Sequence, residues 1–351
     1  MAGSRLITIS KAELSPNPVQ TGKSYVIRVT LEKKAYWLDY PYDYAHDYAK
    51  GDESMSVKTV QAVINGQTYT LTKNTSTGKY EATITAPSKS SYTLSGHYYP
   101  VTVKATDDAG NVTTKDATDS TLGASLRLQV KEKVVPVITI TAPTASQYLA
   151  NSTPAIAWKI TDDDSGVNPS TIALKIDGTA VDTSKITKTA VTGGYTCSYT
   201  PTSALSDGAH TVVATASDYD GNAAAQKSVT FTVDTIPPTL SISAPAEGFI
   251  TNKSTVTVKG TTDDATSKPV TLTVNGDHIP VTNSGTFSKD VTLKEGSNTI
   301  TIVAKDKAGK TTTVTRTVKL DTAPPVIKSA TITPNPVDCG KTFVISVEVT
   351  D

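Results

Sequence analysis

Several residue classes are scarce in this 351-residue chain, and each scarcity excludes a class of protein. The chain has two cysteines, Cys197 and Cys339, far apart in sequence. A disulfide framework is therefore excluded, and we expect both to be free thiols. The 33 Lys and Arg residues balance the 33 Asp and Glu residues, so no net charge favours nucleic acid or an anionic membrane surface. No apolar run is long enough to cross a bilayer, and the first ten residues lack the apolar stretch of a classical signal peptide.

Catalytic motifs are also missing. The four histidines, His46, His97, His210 and His278, are scattered along the chain. No zinc-protease, paired-cysteine or nucleophile-elbow pattern surrounds them, and neither cysteine lies near a histidine in sequence. The sequence therefore predicts a protein that is not an enzyme and carries no cofactor, with calcium as the exception discussed below.

What the chain does have is repeated β-structure. Thr, Val, Ile and Ser dominate its alternating runs, which favours strands over helices. Three hairpin dipeptides, Asn65-Gly66, Asp177-Gly178 and Asn275-Gly276, separate such runs at equivalent places. The same order of turn signals in three segments predicts internal repetition, with about seven strands in the first unit.

Proline-rich joints separate the predicted repeats. Residues 234–238 read Asp-Thr-Ile-Pro-Pro, residues 321–325 read Asp-Thr-Ala-Pro-Pro, and residues 134–136 are a looser version. Paired prolines fix φ and extend the preceding residue, so we expect stiff joints and an elongated rod of modules. The predicted domains are 1–135, 136–235, 236–322 and an incomplete module at 323–351.

The last segment repeats the opening of the first. Residues 333–347 match residues 15–29 without a gap, and the chain stops after what would be a second strand. Two such strands bury too little apolar surface to be stable alone. We expect either that the natural protein continues and completes the module, or that a neighbouring subunit pairs with the exposed edges.

The repeated pattern resembles bacterial Ig-like repeats. The resemblance is carried by the turn at 216–222 with the joint at 234–238, and by the turn at 304–310 with the joint at 321–325. It implies an all-β fold of tandem Ig-like β-sandwich modules with a binding or spacer role. Such repeats are known from phage particles, bacterial surface adhesins and the accessory parts of polysaccharide-active enzymes. A phage-particle or tail-associated component is the leading hypothesis and the other two are alternatives, so the expected location is the virion or the cell surface.

One aromatic segment departs from the repeat pattern and is the predicted binding site. Its rings give a large, rigid contact area with polar tips, which suits recognition of a protein or a cell-surface glycan. Alternatively, the rings pack on the first module itself. The candidate residues are Tyr36, Trp37, Tyr40, Tyr42, Tyr44, His46 and Tyr48. The expected partners are proteins or other copies of the chain, with glycan as the alternative.

Three acidic groups could supply oxygen ligands to calcium. The main candidates are Asp162, Asp163, Asp164, Asp218 and Asp220, and the third group is Asp263-Asp264. Their spacing does not match a defined calcium loop, and short aspartate-rich turns commonly bond to their own backbone instead. The sequence leaves both interpretations open.

Overall fold

A computed structural model describes residues 5–35 and 56–351, and its regular elements there are β-strands and four short 3-10 helices. The all-β prediction is confirmed. The strands that end before residue 132 are β1 (Arg5–Ser15), β2 (Val19–Gln20), β3 (Ser24–Ala35), β4 (Val57–Ile64), β5 (Gln67–Lys73), β6 (Tyr80–Thr85), β7 (Tyr99–Asp107), β8 (Val112–Lys115), β9 (Arg127–Leu128) and β10 (Val130–Lys131). The next are β11 (Val137–Ala142), β12 (Tyr148–Leu149), β13 (Ile156–Thr161), β14 (Ala173–Ile176), β15 (Thr179–Ala180), β16 (Thr187–Val191), β17 (Gly194–Tyr199), β18 (Gly208–Thr215) and β19 (Lys227–Val233).

The remaining strands follow residue 238. They are β20 (Thr239–Ala244), β21 (Phe249–Thr251), β22 (Thr255–Asp263), β23 (Thr271–Val274), β24 (Asp277–Ile279), β25 (Thr286–Thr292), β26 (Gly296–Lys305), β27 (Thr311–Leu320), β28 (Val326–Thr333) and β29 (Val344–Thr350). The 3-10 helices are Ser95–His97, Gly123–Leu126, Pro169–Thr171 and Thr183–Lys185.

The backbone forms two compact units. Unit one comprises residues 1–143, 155–199 and 211–229, and unit two comprises residues 144–154, 200–210 and 230–351. This division follows contact density and differs from the four modules that the sequence predicts. The module boundaries at 135, 235 and 322 therefore stay a prediction.

Unit one contains two main sheets. The larger has the strand order β1-β3-β6-β5-β4-β7-β8, with β9 paired to β7. The smaller has the order β11-β13-β17-β16, and β14 pairs antiparallel with both β15 and β18. Alternate residues of these strands are buried, as in β7, where Val101 and Val103 are fully buried. This period of two places one face of each strand in a core.

Unit two contains a three-stranded sheet, β20-β22-β25, and a five-stranded sheet, β21-β27-β26-β23-β24. Val258, Leu272, Phe287, Ile300 and Val318 are among the residues of the hydrophobic core there. β12 pairs in parallel with β19 through Tyr148 and Leu149. β28 and β29 form a separate two-stranded hairpin whose residues are all exposed.

The three predicted hairpin dipeptides are confirmed as tight turns. Their first residues, Asn65, Asp177 and Asn275, have φ of 47°, 49° and 50°, and the following glycines have φ of 76°, 80° and 90°. Two consecutive positive φ values define a type I′ turn, whose twist matches that of the flanking strands. Each dipeptide thus joins an antiparallel pair, β4 with β5, β14 with β15 and β23 with β24.

A second repeated feature was not predicted. β1, β11, β20 and β28 each contain a shift in register, at Ile9/Lys11, Ile140/Ala142, Ile242/Ala244 and Ile327/Ser329. A β-bulge inserts one unpaired residue and bends its strand. The alternation of apolar residues that identifies these strands in the sequence gives no signal for the extra residue.

Candidate functional site

Three turns of the repeat run from an aspartate through a glycine to an asparagine or lysine, at residues 107–111, 218–222 and 306–310. These aspartate-glycine turns have the same hydrogen bonds in all three places. The aspartate N–H donates to the carbonyl of the fifth residue, at 3.0–3.1 Å, and the N–H of that fifth residue donates back to the aspartate Oδ1, at 2.7–2.8 Å. The pairs are Asp107 with Asn111, Asp218 with Asn222, and Asp306 with Lys310. Each turn therefore fixes a carboxylate at the end of a strand.

The side chain of the fifth residue determines whether the second carboxylate oxygen, Oδ2, has a hydrogen-bond donor. Asn222 donates its side-chain amide to Asp218 Oδ2 at 2.7 Å. Lys310 has no such amide, and Asp306 Oδ2 is buried without a hydrogen-bond partner among the described residues. The third turn thus leaves one acceptor unsatisfied that the second turn satisfies.

Two of these aspartates belong to clusters of three buried acids. The first acidic cluster consists of Glu132, Asp162 and Asp218, which are 3%, 5% and 2% exposed. Each contributes a carboxylate oxygen, and the three oxygens lie within 4.8 Å of one another. All three residues belong to unit one. Carboxylates so close together repel one another strongly when ionised, so their proximity requires a physical explanation.

Backbone geometry holds the first acidic cluster in place. Glu132 directly follows β10, and Asp162 directly follows β13. Asp162 Oδ1 accepts the N–H groups of Asp164, at 3.1 Å, and Gly166, at 2.7 Å. Glu132 Oε1 accepts the N–H of Ser165 at 2.7 Å. The loop after β13 therefore wraps around two of the three acids.

The hydrogen bonds leave three polar atoms of this site unsatisfied. Glu132 Oε2, Asp162 Oδ2 and Ser165 Oγ are buried, and the described residues offer them no partner. Burial raises the pKa of Glu132, the charges of Asp162 and Asp164 add to that rise, and the hydrogen bond from the Ser165 backbone N–H opposes it. None of the ion pairs that the structure describes involves these acids. Buried carboxylates normally have such partners.

The second acidic cluster repeats the arrangement in unit two. It consists of Asp234, Asp264 and Asp306, which are 1%, 5% and 5% exposed, with carboxylate oxygens again within 4.8 Å of one another. Asp264 Oδ1 accepts the N–H groups of Thr266, at 2.8 Å, and Ser267, at 2.6 Å. The Ser267 hydroxyl, which corresponds to that of Ser165, donates to Asp234 Oδ2.

The three acids of each cluster occupy the same three positions of the repeat. One acid stands at the joint, one follows the strand before the serine-containing loop, and one opens the aspartate-glycine turn. The joint acid is fixed by its own backbone as well, because the N–H of Asp234 donates to the carbonyl of Leu149 at 2.9 Å. Asp321 has the corresponding bond to Thr251 at 2.9 Å, yet its side chain pairs with Lys319.

The five acids that the sequence singled out divide between the cluster and its surroundings. Asp162 and Asp218 belong to the first acidic cluster. Asp163 is exposed, Asp164 Oδ1 accepts the N–H of Ser90 at 3.0 Å, and Asp220 Oδ2 accepts the N–H of Glu132 at 2.9 Å. Whether calcium binds any of them stays a prediction.

Sequence reasoning missed Glu132 and the second acidic cluster as a unit. The available signal was the joint itself, because an acid stands four residues before the last proline in residues 132–136, 234–238 and 321–325. The prolines of the joint predict its stiffness but give no signal for this acid.

Aromatic rings accompany both clusters. Tyr219, which follows Asp218, stacks on Tyr92 with ring centroids 4.2 Å apart, and Tyr92 stacks in turn on His97 at 4.3 Å. Lys307, which follows Asp306, places its Nζ 5.1 Å from the ring centroid of Tyr148. The residue after each turn aspartate thus contacts an aromatic ring, which adds packing beside the acids.

The predicted aromatic binding site lies outside the described residues. This applies to Tyr36, Trp37, Tyr40, Tyr42, Tyr44, His46 and Tyr48. Its assignment stays a prediction from the sequence.

The cysteines are free thiols, as predicted. Cys197 is buried, and burial raises the pKa of its thiol to about 11, so it stays protonated and a poor nucleophile at neutral pH. Trp158 is 1% exposed and is therefore a core residue. The described residues contain no helix that is both long and apolar enough to span a membrane.

Two parts of the chain match known families. Residues 139–235 match the family described as bacterial Ig-like domain, and residues 238–322 match the family described as glucodextranase, domain B. The chain carries bacterial Ig-like repeat modules. The resemblance and the fold class predicted from the sequence are therefore confirmed, since the matched Ig-like segments have the all-β structure described above.

Relatives with longer alignments are bacterial. Bacillopeptidase F of Bacillus subtilis (strain 168) is 37% identical over 123 residues, which are 35% of this chain and 8% of that protein. The PII-type proteinase of Lacticaseibacillus paracasei is 26% identical over 321 residues, 85% of this chain and 16% of the proteinase. The chain thus spans less than a fifth of the length of either relative.

Similar solved structures include two adhesins. A solved chain of the Escherichia coli adhesin FdeC shares 13% identity and a TM-score of 0.39, and the match covers 91% of this chain and 99% of that solved chain. A tetra-tandem repeat from the extending region of a large adhesion protein shares 18% identity and a TM-score of 0.30, covering 99% of this chain and 88% of the repeat structure.

Proposed function

We propose that this chain is a non-catalytic accessory segment of a large bacterial cell-surface protein, in which Ig-like modules act as a spacer and contact other proteins. The observation that carries the proposal is the alignment of 85% of the chain with only 16% of the PII-type proteinase. A segment that recurs as a minor part of a much longer protein suits a supporting role.

The site chemistry supports a non-catalytic role. The conspicuous polar groups are buried carboxylates whose oxygens accept backbone N–H bonds, and such groups fix loops. The buried thiol of Cys197 is protonated at neutral pH, and the His97 and His210 rings contact the backbone carbonyls of Tyr92 and Ser206. These arrangements serve structure, and none of these groups forms a nucleophile–base pair with another.

The repeated joint supports the spacer role. Equivalent residues form the acidic cluster in both places, and a neighbouring side chain contacts a ring beside each one. A joint built twice from the same residue positions favours a defined connection between successive modules, which is what a spacer requires.

Localisation of the natural protein tests this proposal. Antibodies raised against the purified chain should label intact, unpermeabilised cells of the bacterium that encodes it. Labelling only after lysis would contradict a surface role. Labelling of purified phage particles but not of intact cells would favour the phage-particle hypothesis, whereas the relatives reported above favour a bacterial surface.

We propose that residues 36–48 form the protein-recognition surface, with a cell-surface glycan as the alternative ligand. The support is the sequence alone, five tyrosines and a tryptophan in thirteen residues, a composition that favours recognition. Replacing Tyr40, Tyr42 and Tyr44 together with serine should abolish binding of the chain to host-cell protein extracts while leaving its thermal unfolding unchanged. A large fall in the unfolding temperature would instead favour packing of these rings on the first module.

A further inference from the structure

The two acidic clusters share a property that hydrogen bonding within the protein does not explain. Each gathers three carboxylates that are 1–5% exposed, yet unsatisfied acceptors remain at both, namely Glu132 Oε2 and Asp162 Oδ2 in the first and Asp306 Oδ2 in the second. Ser165 Oγ is a fourth buried oxygen without a partner. Buried acceptors of this kind cost free energy unless something donates to them or coordinates them.

The oxygens have the right chemistry and spacing for one ion in each cluster. Carboxylate and hydroxyl oxygens are hard donors, which favour calcium or magnesium over zinc, iron or copper. The three oxygens of each cluster lie within 4.8 Å of one another, so one ion can contact all three. Calcium suits them better than magnesium because calcium accepts irregular sets of oxygen ligands, whereas magnesium requires shorter bonds and a strict octahedron.

The backbone bonds prepare the acids for coordination. In Asp162 and Asp306, the Oδ1 atom accepts backbone N–H bonds and the Oδ2 atom has no partner. In Glu132, Oε1 accepts the Ser165 N–H and Oε2 has no partner. In these three carboxylates one oxygen thus fixes the orientation and the other is left to bind, whereas Asp218 Oδ2 and Asp234 Oδ2 already accept hydrogen bonds from Asn222 and Ser267.

We propose that the first and second acidic clusters are calcium sites, one at each joint between successive Ig-like modules. Glu132, Asp162 and Asp218 bind one ion, with Ser165 Oγ within reach of the site, and Asp234, Asp264 and Asp306 bind the other. The two positive charges of the ion then offset most of the negative charge of the three carboxylates. This inference goes beyond the proposed spacer function and does not depend on where the protein is located.

Substitution by asparagine isolates the coordinating atoms. Asp162→Asn and Asp306→Asn keep an Oδ1 that accepts the same backbone N–H groups, and they replace the partnerless Oδ2 with an amide that cannot bind a cation. Two matched controls are available. Asp163→Asn changes the exposed neighbour of Asp162, and Asp321→Asn changes the equivalent joint acid whose side chain pairs with Lys319.

Calorimetric titration of the full chain with calcium chloride, after removal of metal with EDTA, tests the proposal. We expect two calcium ions per chain, one in each single variant and none in the Asp162→Asn/Asp306→Asn double variant, with both controls keeping two. Calcium should bind more tightly than magnesium chloride by about tenfold or more, because magnesium requires shorter bonds and a stricter octahedron.

Thermal unfolding gives an independent readout. Saturating calcium should raise the unfolding temperature of the natural chain by about 3 °C or more relative to EDTA, since a ligand that binds only the folded state stabilises it. The double variant should show no calcium-dependent shift. The proposal is overturned if the natural chain shows neither heat of binding nor a shift up to about 10 mM calcium, the weak end of the range for extracellular modules. It is equally overturned if the double variant still binds two ions, because calcium would then bind elsewhere.

Discussion

The first acidic cluster makes a prediction about the metal-free protein that is opposite in sign to the usual effect of a buried substitution. In EDTA at pH 7, Asp162→Asn should stabilise the protein. Asp162 lies within 4.8 Å of two other carboxylates, and the new amide can donate a hydrogen bond to either one. The substitution removes repulsion and adds a donor, while the backbone bonds to Oδ1 are retained.

The size of the effect follows from charge separation. Two unit charges 4.8 Å apart repel by about 3.5 kcal/mol at an effective dielectric constant near 20, so two pairs would cost about 7 kcal/mol. Protonating one carboxylate at pH 7 costs only about 4 kcal/mol, since each pKa unit corresponds to 1.36 kcal/mol. The free energy that repulsion costs the metal-free cluster is therefore limited to about 4 kcal/mol, and burial together with the charges of Asp162 and Asp164 raises the pKa of Glu132. The expected stabilisation is about 1–4 kcal/mol.

Trp158 provides the assay because it is fully buried in β13, the strand that Asp162 follows. In a Trp37→Phe background, tryptophan fluorescence during urea unfolding should report this region alone. Asp162→Asn should raise the unfolding midpoint in EDTA, and the exposed control Asp163→Asn should change the free energy of unfolding by less than about 0.5 kcal/mol. A decrease of more than about 1 kcal/mol in the free energy of unfolding of Asp162→Asn would refute the reasoning. The hydrogen bonds that the carboxylate accepts would then stabilise the fold more than its charge repulsion destabilises it.

Three further predictions test other parts of the structure. Gly194→Ala should prevent normal folding around β17, measured as lost Trp158 burial in fluorescence, because the added Cβ would lie 2.0 Å from the carbonyl oxygen of Ile160. Iodoacetamide should modify only Cys339 in the native chain and both cysteines in urea, as counted by mass spectrometry. The reason is that Cys197 is buried and the pKa of its thiol is raised to about 11. Modification of both cysteines without urea would contradict the buried position of Cys197. Hydrogen bonds from a lysine, a threonine hydroxyl and two backbone N–H groups lower the pKa of Asp119, so its contribution to stability should be present above about pH 4 and lost as the pH falls further. Asp119→Asn should flatten that acid limb of the stability profile, and an unchanged profile would show that the aspartate contributes nothing.

The fold was largely predictable because its signals are local. An Asn-Gly or Asp-Gly pair between alternating runs requires two positive φ values, so the type I′ turns at Asn65, Asp177 and Asn275 follow from the dipeptides themselves. The long strands follow from their alternation, as in β4, which ends directly before the Asn65-Gly66 turn. The short strands β12 and β21 have no such signal, because two or three residues give no measurable period.

The acidic clusters could not be predicted in the same way, since their members are about 30–60 residues apart in sequence and converge only through the sheets. The sequence drew attention to Asp163 and Asp164 because they adjoin Asp162, but successive residues in an extended loop point in different directions. The structure turns Asp164 toward Ser90 and leaves Asp163 exposed. Glu132, which completes the site, has no acidic neighbour to mark it.

Because the cluster occurs twice, the sequence carries a signal that a single site would not have, namely acids at equivalent positions of two repeats. The joint acid, the acid after the strand and the acid that opens the turn occur in the same order twice, as Glu132, Asp162 and Asp218 and then as Asp234, Asp264 and Asp306. The first place tolerates either Glu or Asp, and the residue after the turn acid changes from tyrosine to lysine. Side chains around the cluster thus vary while three carboxylates are kept at corresponding positions. Repulsion among unpaired buried acids would favour replacing at least one of them by a neutral residue in one copy or the other. A bound cation would explain why both copies have all three carboxylates. Hydrogen bonds that fix the loops would not explain it, because an asparagine could accept those bonds equally well.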